Sequence, residues 1–255
     1  MSDAGRWAGR NPEKDLVRND VWRSLEADGV AVGPAWSMIP NFVGADLAAW
    51  HLAQAPEWAA AKTVKTNPDA PQIPVRLRAL YQGKTVYAPV PYLTREFPYL
   101  RLDPEVLKAK GVSFELAATS EGFMAHGERI EFEDVAPLDF AVVGSVAVSR
   151  LGGRTGKGAG FADLETAIFR ELGIISDTTP IATTIHSSQL VGPDRVVLEA
   201  HDSPLDYVAT EQGLIATGNR DQRPGGVDWE RVRPDQFENI PFLTALRSRM
   251  EQRRP

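Results

Sequence analysis

The segment GGRTGKGAGF, residues 152–161, holds five glycines in its first nine positions, with Arg154 and Lys157 set among them. Glycine admits positive φ and lets a ligand atom approach the backbone. A glycine loop that runs into a helix N-terminus presents N–H groups to an anion, and two cations add charge. Phosphate binding is the chemistry that suits these residue types. The known phosphate motifs do not match. The Gly-Lys pair at 156–157 is followed by Gly158, and Leu151 stands where a Walker A loop needs its first glycine. The spacing of Gly156, Gly158 and Gly160 is not that of the dinucleotide fingerprint either. The competing reading is a surface loop between a strand and a helix.

Other residues have two readings each. Asp163, just past the loop, is a helix N-cap or a hard-oxygen ligand for Mg²⁺ shared with phosphates. In AHDSPLD, Asp202 and Asp206 are turn residues or a second metal or substrate site. Lys14 and Arg18 lie four apart and share a helix face, as solvated surface or as part of a site. Phe97, Pro98 and Tyr99 form an aromatic patch that anchors a loop or lines a cavity. His51, His126, His186 and His201 are scattered without metal-ligand spacing, and no G-x-S-x-G elbow occurs.

The elements that must position these groups follow from periodicity. EKDLVRNDVWRSLEADG reads as a helix with Leu16, Val21, Trp22 and Leu25 on its apolar side. A helix is expected from near Ala45. AKTVKTNP, APQIPVRLRALYQG and KTVYAPVPYL read as strand, helix and strand, a βαβ unit with parallel pairing. Residues 95–137 look polar and irregular. LDFAVVGSVAV reads as one central strand buried on both faces, running into the glycine loop. DLETAIFREL is the next helix, with Leu164, Ala167, Ile168 and Leu172 on one side and Asp163 as its cap. TPIATTIH, RVVLEAH and a hairpin around EQG follow. The expected organisation is a flexible tail over 1–12, one α/β domain over 13–240 and a peripheral C-terminal arm over 241–255.

Bulk composition narrows the function classes. Lys plus Arg is 28 and Asp plus Glu is 34, a net charge of −6 that disfavours nucleic acid as a partner. The chain has no cysteine, so thiolate catalysis and Cys-ligated metals are excluded. No apolar run is long enough to span a bilayer, and the first twenty residues show no signal-peptide core. A cytoplasmic protein without nucleic-acid or membrane partners is expected, as a monomer or a homodimer.

The segments KDLVR, LDFAVVGSVAVSRLGGRTGKGAGFADLE and PIATTIHSSQLV, with LEAHDSPLDYVAT, together resemble the 5-formyltetrahydrofolate cyclo-ligase family, also called methenyltetrahydrofolate synthetases, in a divergent branch. The resemblance implies a three-layer α/β/α fold with a mostly parallel central sheet, of the ribose-phosphate isomerase and CoA-transferase type. It implies ATP and Mg²⁺ as cofactors. It places Lys14 and Arg18, and Arg154 and Lys157 amid Gly156, Gly158 and Gly160, on ATP phosphates. Arg154 and Lys157 would also be catalytic, Asp163 and Asp202 would serve the metal, and Phe161 would face the substrate. The implied reaction phosphorylates the formyl oxygen of 5-formyltetrahydrofolate; a neighbouring amine then closes the ring as phosphate leaves, giving 5,10-methenyltetrahydrofolate. The family loop ends in two tyrosines before its aspartate, where this chain has Phe161 and Ala162. That departure leaves open a different small amide-like substrate on the same fold. A non-catalytic nucleotide-binding protein is the other alternative.

Overall fold

The computed structural model describes residues 11–91, 98–196, 198–199, 202–219 and 223–253; most of the expected tail, Phe97 and His201 lie outside them. Asn11 starts the first helix, α1 (Pro12–Ala27). Its side-chain oxygen accepts from the N–H groups of Glu13 (2.9 Å) and Lys14 (3.2 Å), and Pro12 sets the first turn. Val17, Val21, Trp22 and Leu25 are its buried apolar residues. Leu16, expected among them, is 68% exposed. Each residue turns the helix by about 100°, which puts position 16 opposite the arc centred on 18, 21 and 22.

After α2 (Ala45–Leu52) and α3 (Pro56–Ala60), the chain enters β1 (Thr63–Lys65), crosses through α4 (Ile73–Tyr81) and returns as β2 (Thr85–Pro89). The two strands are parallel, with Thr63 opposite Thr85 and Lys65 opposite Tyr87, as the βαβ reading requires. β3 (Tyr99–Leu102) turns back beside β2. α5 (Pro104–Ala109), α6 (Phe114–Ala117) and α7 (Ser120–His126) lead to β4 (Glu128–Ile130), antiparallel to β3. The stretch expected to be irregular is therefore ordered over most of its length. Its polar residues are caps: Asp103, Ser113 and Thr119 each accept from N–H groups of the helix they start.

The apolar run expected to be one strand is two. β5 (Phe140–Val142) pairs with β1 in the main sheet, and the chain leaves that sheet near Gly144 to form β6 (Ala147–Ser149). β7 (Arg154–Thr155) pairs back onto β6, so the first part of the glycine segment is strand rather than loop. α8 (Phe161–Glu171), β8 (Ile181–Thr184), β9 (Leu190–Val191), β10 (Tyr207–Thr210) and β11 (Gly213–Ala216) follow. The main sheet has eight strands in the order β11-β10-β8-β5-β1-β2-β3-β4, and β7-β6-β9 form a second, small sheet. The five central strands of the main sheet are parallel, and antiparallel strands flank them on both sides.

Period-2 alternation divides the sheet side chains between two helical layers. Val64, Val86, Leu100 and Phe140 pack in a cluster with Leu52, Leu80 and Phe123 from α2, α4 and α7. Tyr87 and Tyr99 point the other way, into a cluster with Leu164 and Ile168 of α8. α9 (Pro234–Asn239) and α10 (Leu243–Arg253) complete that second layer. The stretch expected as a peripheral arm thus contributes to the core: Leu243, Leu246 and Met250, spaced i, i+3 and i+7, are at most 2% exposed. Each such burial stabilises by about 1.5–3 kcal/mol. Abundant Arg and Gln hide this stripe in composition. No helix among the described residues is long and apolar enough to cross a membrane.

Candidate functional site

From β1 the chain moves to β2 on one side; from β5 it moves to β8 and β10 on the other. In open α/β sheets, ligands occupy the crevice at the carboxyl ends of the strands where the order reverses in this way. Asn67 to Asp69 follow β1, and Gly144 follows β5. Together with the glycine loop and α1 they line a cavity of about 660 Å³, a size ordinary for small-molecule sites.

The glycine loop proper is 156–160. Gly158 has φ 106° and Gly160 has φ 71°, conformations that side chains with a Cβ resist. Gly160 is the N-cap of α8, so Asp163 is not the cap; it sits in the first helical turn. The first-turn N–H groups of a helix have no partners within it. Among the described residues, no main-chain carbonyl accepts from the N–H of Gly156, Gly158 or Ala159. These donors are what an anion would need.

The four cations expected from sequence lie at this cavity, each positioned by oxygen partners. The Arg154 guanidinium, on β7, donates Nη2–H to Asp163 Oδ1 at 2.6 Å and Nη1–H to the Gly144 carbonyl at 3.2 Å. Arg18, on α1, donates Nε–H to the Gly156 carbonyl at 2.6 Å and Nη1–H to Asp15 at 2.6 Å. One turn earlier, Lys14 Nζ lies 2.7 Å from Asp202 Oδ2 and 3.5 Å from Glu199. Lys157 Nζ is 3.6 Å from Asp69 Oδ1. Lys14, Arg18, Arg154, Lys157, Asp163 and Asp202 all line the cavity, as do Gly156, Gly158, Gly160 and Phe161. Asp206 is apart from them: it accepts from the Ile181 N–H (2.8 Å) and from Arg223.

The cavity floor contains groups that pattern reading missed. Lys65 and Glu165, each 2% exposed at the side chain, form an ion pair of 3.0 Å, and Lys65 also donates to Asn67 Oδ1 at 2.6 Å. The Gln72 side chain accepts from the Asn67 N–H (2.6 Å), and Arg76 donates to the Asn67 carbonyl. Arg76 is fully buried; burial pushes its pKa down to about 10, opposed by Asp69. Tyr99 is core rather than cavity lining, edge-on to Phe132 and tilted against Phe169. Burial first, and the Glu165 carboxylate second, push the Tyr99 hydroxyl well above its ordinary pKa. A signal for this floor existed. Lys65 closes β1 directly after the buried Val64, and Glu165 sits beside Leu164 on the buried side of α8.

Phe161 is partly buried against the α8–α10 core, and Ala162 packs toward the smaller cluster around Val148 and Ile181. Neither brings a hydroxyl to the cavity. For a metal, Asp163 and Asp202 are the carboxylates expected from sequence, and each accepts from a cation here. Among the described residues no three His, Asp or Glu side chains gather as a metal cage. One or two carboxylates with substrate phosphates are the ligands Mg²⁺ takes in phosphate sites, and Asp163 and Asp202 are the carboxylates that would serve it here.

The profile of the 5-formyltetrahydrofolate cyclo-ligase family matches residues 10–211. Methenyltetrahydrofolate synthase domain-containing proteins from Bos taurus and Homo sapiens are each 35% identical over 241 residues, which is 94% of this chain. The chain spans less than two thirds of their length, 63% and 62%. The solution structure of Aquifex aeolicus 5,10-methenyltetrahydrofolate synthetase has a similar fold, with a TM-score of 0.51 at 22% identity over 82% of this chain and 94% of that one. With the mostly parallel sheet and the extent of the profile match, these findings place the chain in the 5-formyltetrahydrofolate cyclo-ligase family.

Proposed function

We propose that the protein is an ATP- and Mg²⁺-dependent cyclo-ligase that converts 5-formyltetrahydrofolate to 5,10-methenyltetrahydrofolate. The observation that carries this reading is the convergence of Lys14 and Arg18 with Arg154 and Lys157 on one glycine loop. Arg18 and the Gly156 carbonyl it holds are 138 residues apart in the chain. An N-formyl group is a stabilised amide and a poor electrophile; ATP supplies the phosphoryl group that makes its oxygen a leaving group.

The residues then have little covalent work. The loop N–H groups and the N-terminus of α8 bind phosphate oxygens. Lys14, Arg18 and Lys157 hold the phosphates in register, and Arg154, fixed by Asp163 and Gly144, sets its charge against the group being transferred. Asp163 and Asp202 are the carboxylates that would hold Mg²⁺. Phe161 packs beside the substrate. A cytoplasmic location accompanies this reading.

The test is the near-ultraviolet absorbance of 5,10-methenyltetrahydrofolate in a mixture of protein, ATP, Mg²⁺ and 5-formyltetrahydrofolate. The expected result is a rise that needs both ATP and Mg²⁺. ATP binding without that rise would overturn the folate assignment. The loss of two hydroxyls at Phe161 and Ala162 would then favour the second reading, ATP-dependent activation of another small amide.

A further inference from the structure

Residues 224–236 also line the cavity, yet they lie beyond residue 211, where the family match ends. Two of their side chains reach the glycine loop. Arg233 Nη2–H and Gln236 Nε2–H both donate to the carbonyl of Ala159, each at 3.2 Å. Ala159 stands between Gly158 and Gly160, the two loop residues with positive φ. A Cβ on Gly160 would stand 3.4 Å from Gln236 Nε2, in ordinary van der Waals contact.

Both donors are themselves fixed. Gln236 is 7% exposed, and its side-chain oxygen accepts from the Arg233 N–H at 3.1 Å. Arg233 Nε–H donates to Asp235 at 2.9 Å. α9 continues into Ile240, Leu243 and Leu246, which share one core cluster with Leu164 and Ile168 of α8. The loop and the groups that hold it therefore stand on the same support. In a trans peptide the carbonyl and the following N–H point in opposite directions. Holding the Ala159 carbonyl on Gln236 therefore turns the Gly160 N–H away from α9.

We propose that Arg233 and Gln236 are positioning residues that pin the 156–160 loop through the Ala159 carbonyl, so that a segment outside the family-matched region sets the geometry of the candidate phosphate site. The benefit to nucleotide binding rests on the function proposed above; the pinning itself does not. Positive-φ glycines leave a free loop many conformations, and two hydrogen bonds to Ala159, which stands between them, remove most of them.

Amide hydrogen exchange on ligand-free protein tests this, using Gln236→Glu and Gln236→Met. The first keeps the oxygen that accepts from Arg233 and removes the donor to Ala159; the second removes both and covers the case in which a buried carboxylate prevents folding. Exchange at Val146 and Leu164, whose N–H groups donate to the Thr155 and Gly160 carbonyls at the two ends of the loop, should rise about tenfold in each, the loss of one hydrogen bond, with 243–253 unchanged. Gln236→Met should also raise the KM for ATP more than it lowers kcat. Unchanged exchange at Val146 and Leu164 overturns the proposal. So does exchange that rises equally in 243–253, which would make Gln236 a support of the core alone. A looser loop in a protein whose wild type binds no ATP would uphold the pinning and remove the nucleotide reading.

Discussion

Two ion pairs, one in the cavity lining and one reaching beneath it from Glu165, have similar geometry and different standing. Arg154 and Asp163, at the glycine loop, are 2.6 Å apart with side-chain exposures of 3% and 19%. Lys65 and Glu165, at the floor, are 3.0 Å apart with 2% and 2%. An open carboxylate lets an arriving anion take a share of its cation. At the floor neither partner has solvent to turn to, and loss of one strands a charge in a low-dielectric interior. Proximity of opposite charges therefore does not identify a binding group; access does.

Breaking the floor should have the largest effect. Lys65→Met leaves Glu165 buried without its cation and should cost about 3–5 kcal/mol of stability in chemical denaturation. The double variant Lys65→Met with Glu165→Leu should recover most of it. A single variant as stable as wild type would remove the distinction between the two pairs. Arg154→Ala should leave the fold in place and lower turnover by about 10²–10³, the usual cost of losing one positioned charge donor. Turnover close to wild type would make Arg154 a structural partner of Asp163. Lys157→Ala, on the more open side of the loop, should weaken ATP binding by about tenfold in calorimetry, roughly 1.4 kcal/mol. Unchanged affinity would take Lys157 out of the phosphate site.

The smallest effect is a pH dependence of the core. The Tyr99 hydroxyl titrates well above 10 in the folded protein, through burial and Glu165, and Tyr207 is pushed up to about 12 by burial and by its bond to Glu57. Above pH 10 the unfolded chain loses these protons before the folded one does. Stability is therefore full below pH 10 and falls as pH rises toward 12. Tyr99→Phe should flatten the alkaline limb of the melting temperature; an unchanged limb would assign it to other groups.

Much of this arrangement was readable along the chain. The βαβ unit, the strand and helix around the glycine loop, and Lys14 with Arg18 on one face all follow from periodicity and local sterics. Errors arose where context outweighed pattern. One apolar run became β5 and β6, with the chain changing sheets at Gly144, where a Cβ would crowd Asp69 and Ile39. Polar residues between 103 and 119 became helix caps. Gly160 took the cap position from Asp163, and an arginine-rich end carried the buried stripe at Leu243, Leu246 and Met250.

The sequence by itself determined which peptides could take positive φ and where α1 begins. Those properties depend on neighbours a few residues away, through sterics and short hydrogen bonds. Tertiary structure alone decided which polar groups meet: Lys14 with Asp202 across 188 residues, Lys65 with Glu165 across 100, and the Gln236 amide with the Ala159 carbonyl across 77. Charge carries no address along the chain. Its partner is chosen when the sheet order brings distant loops to one crevice, and burial there decides whether the pair is a support or a site.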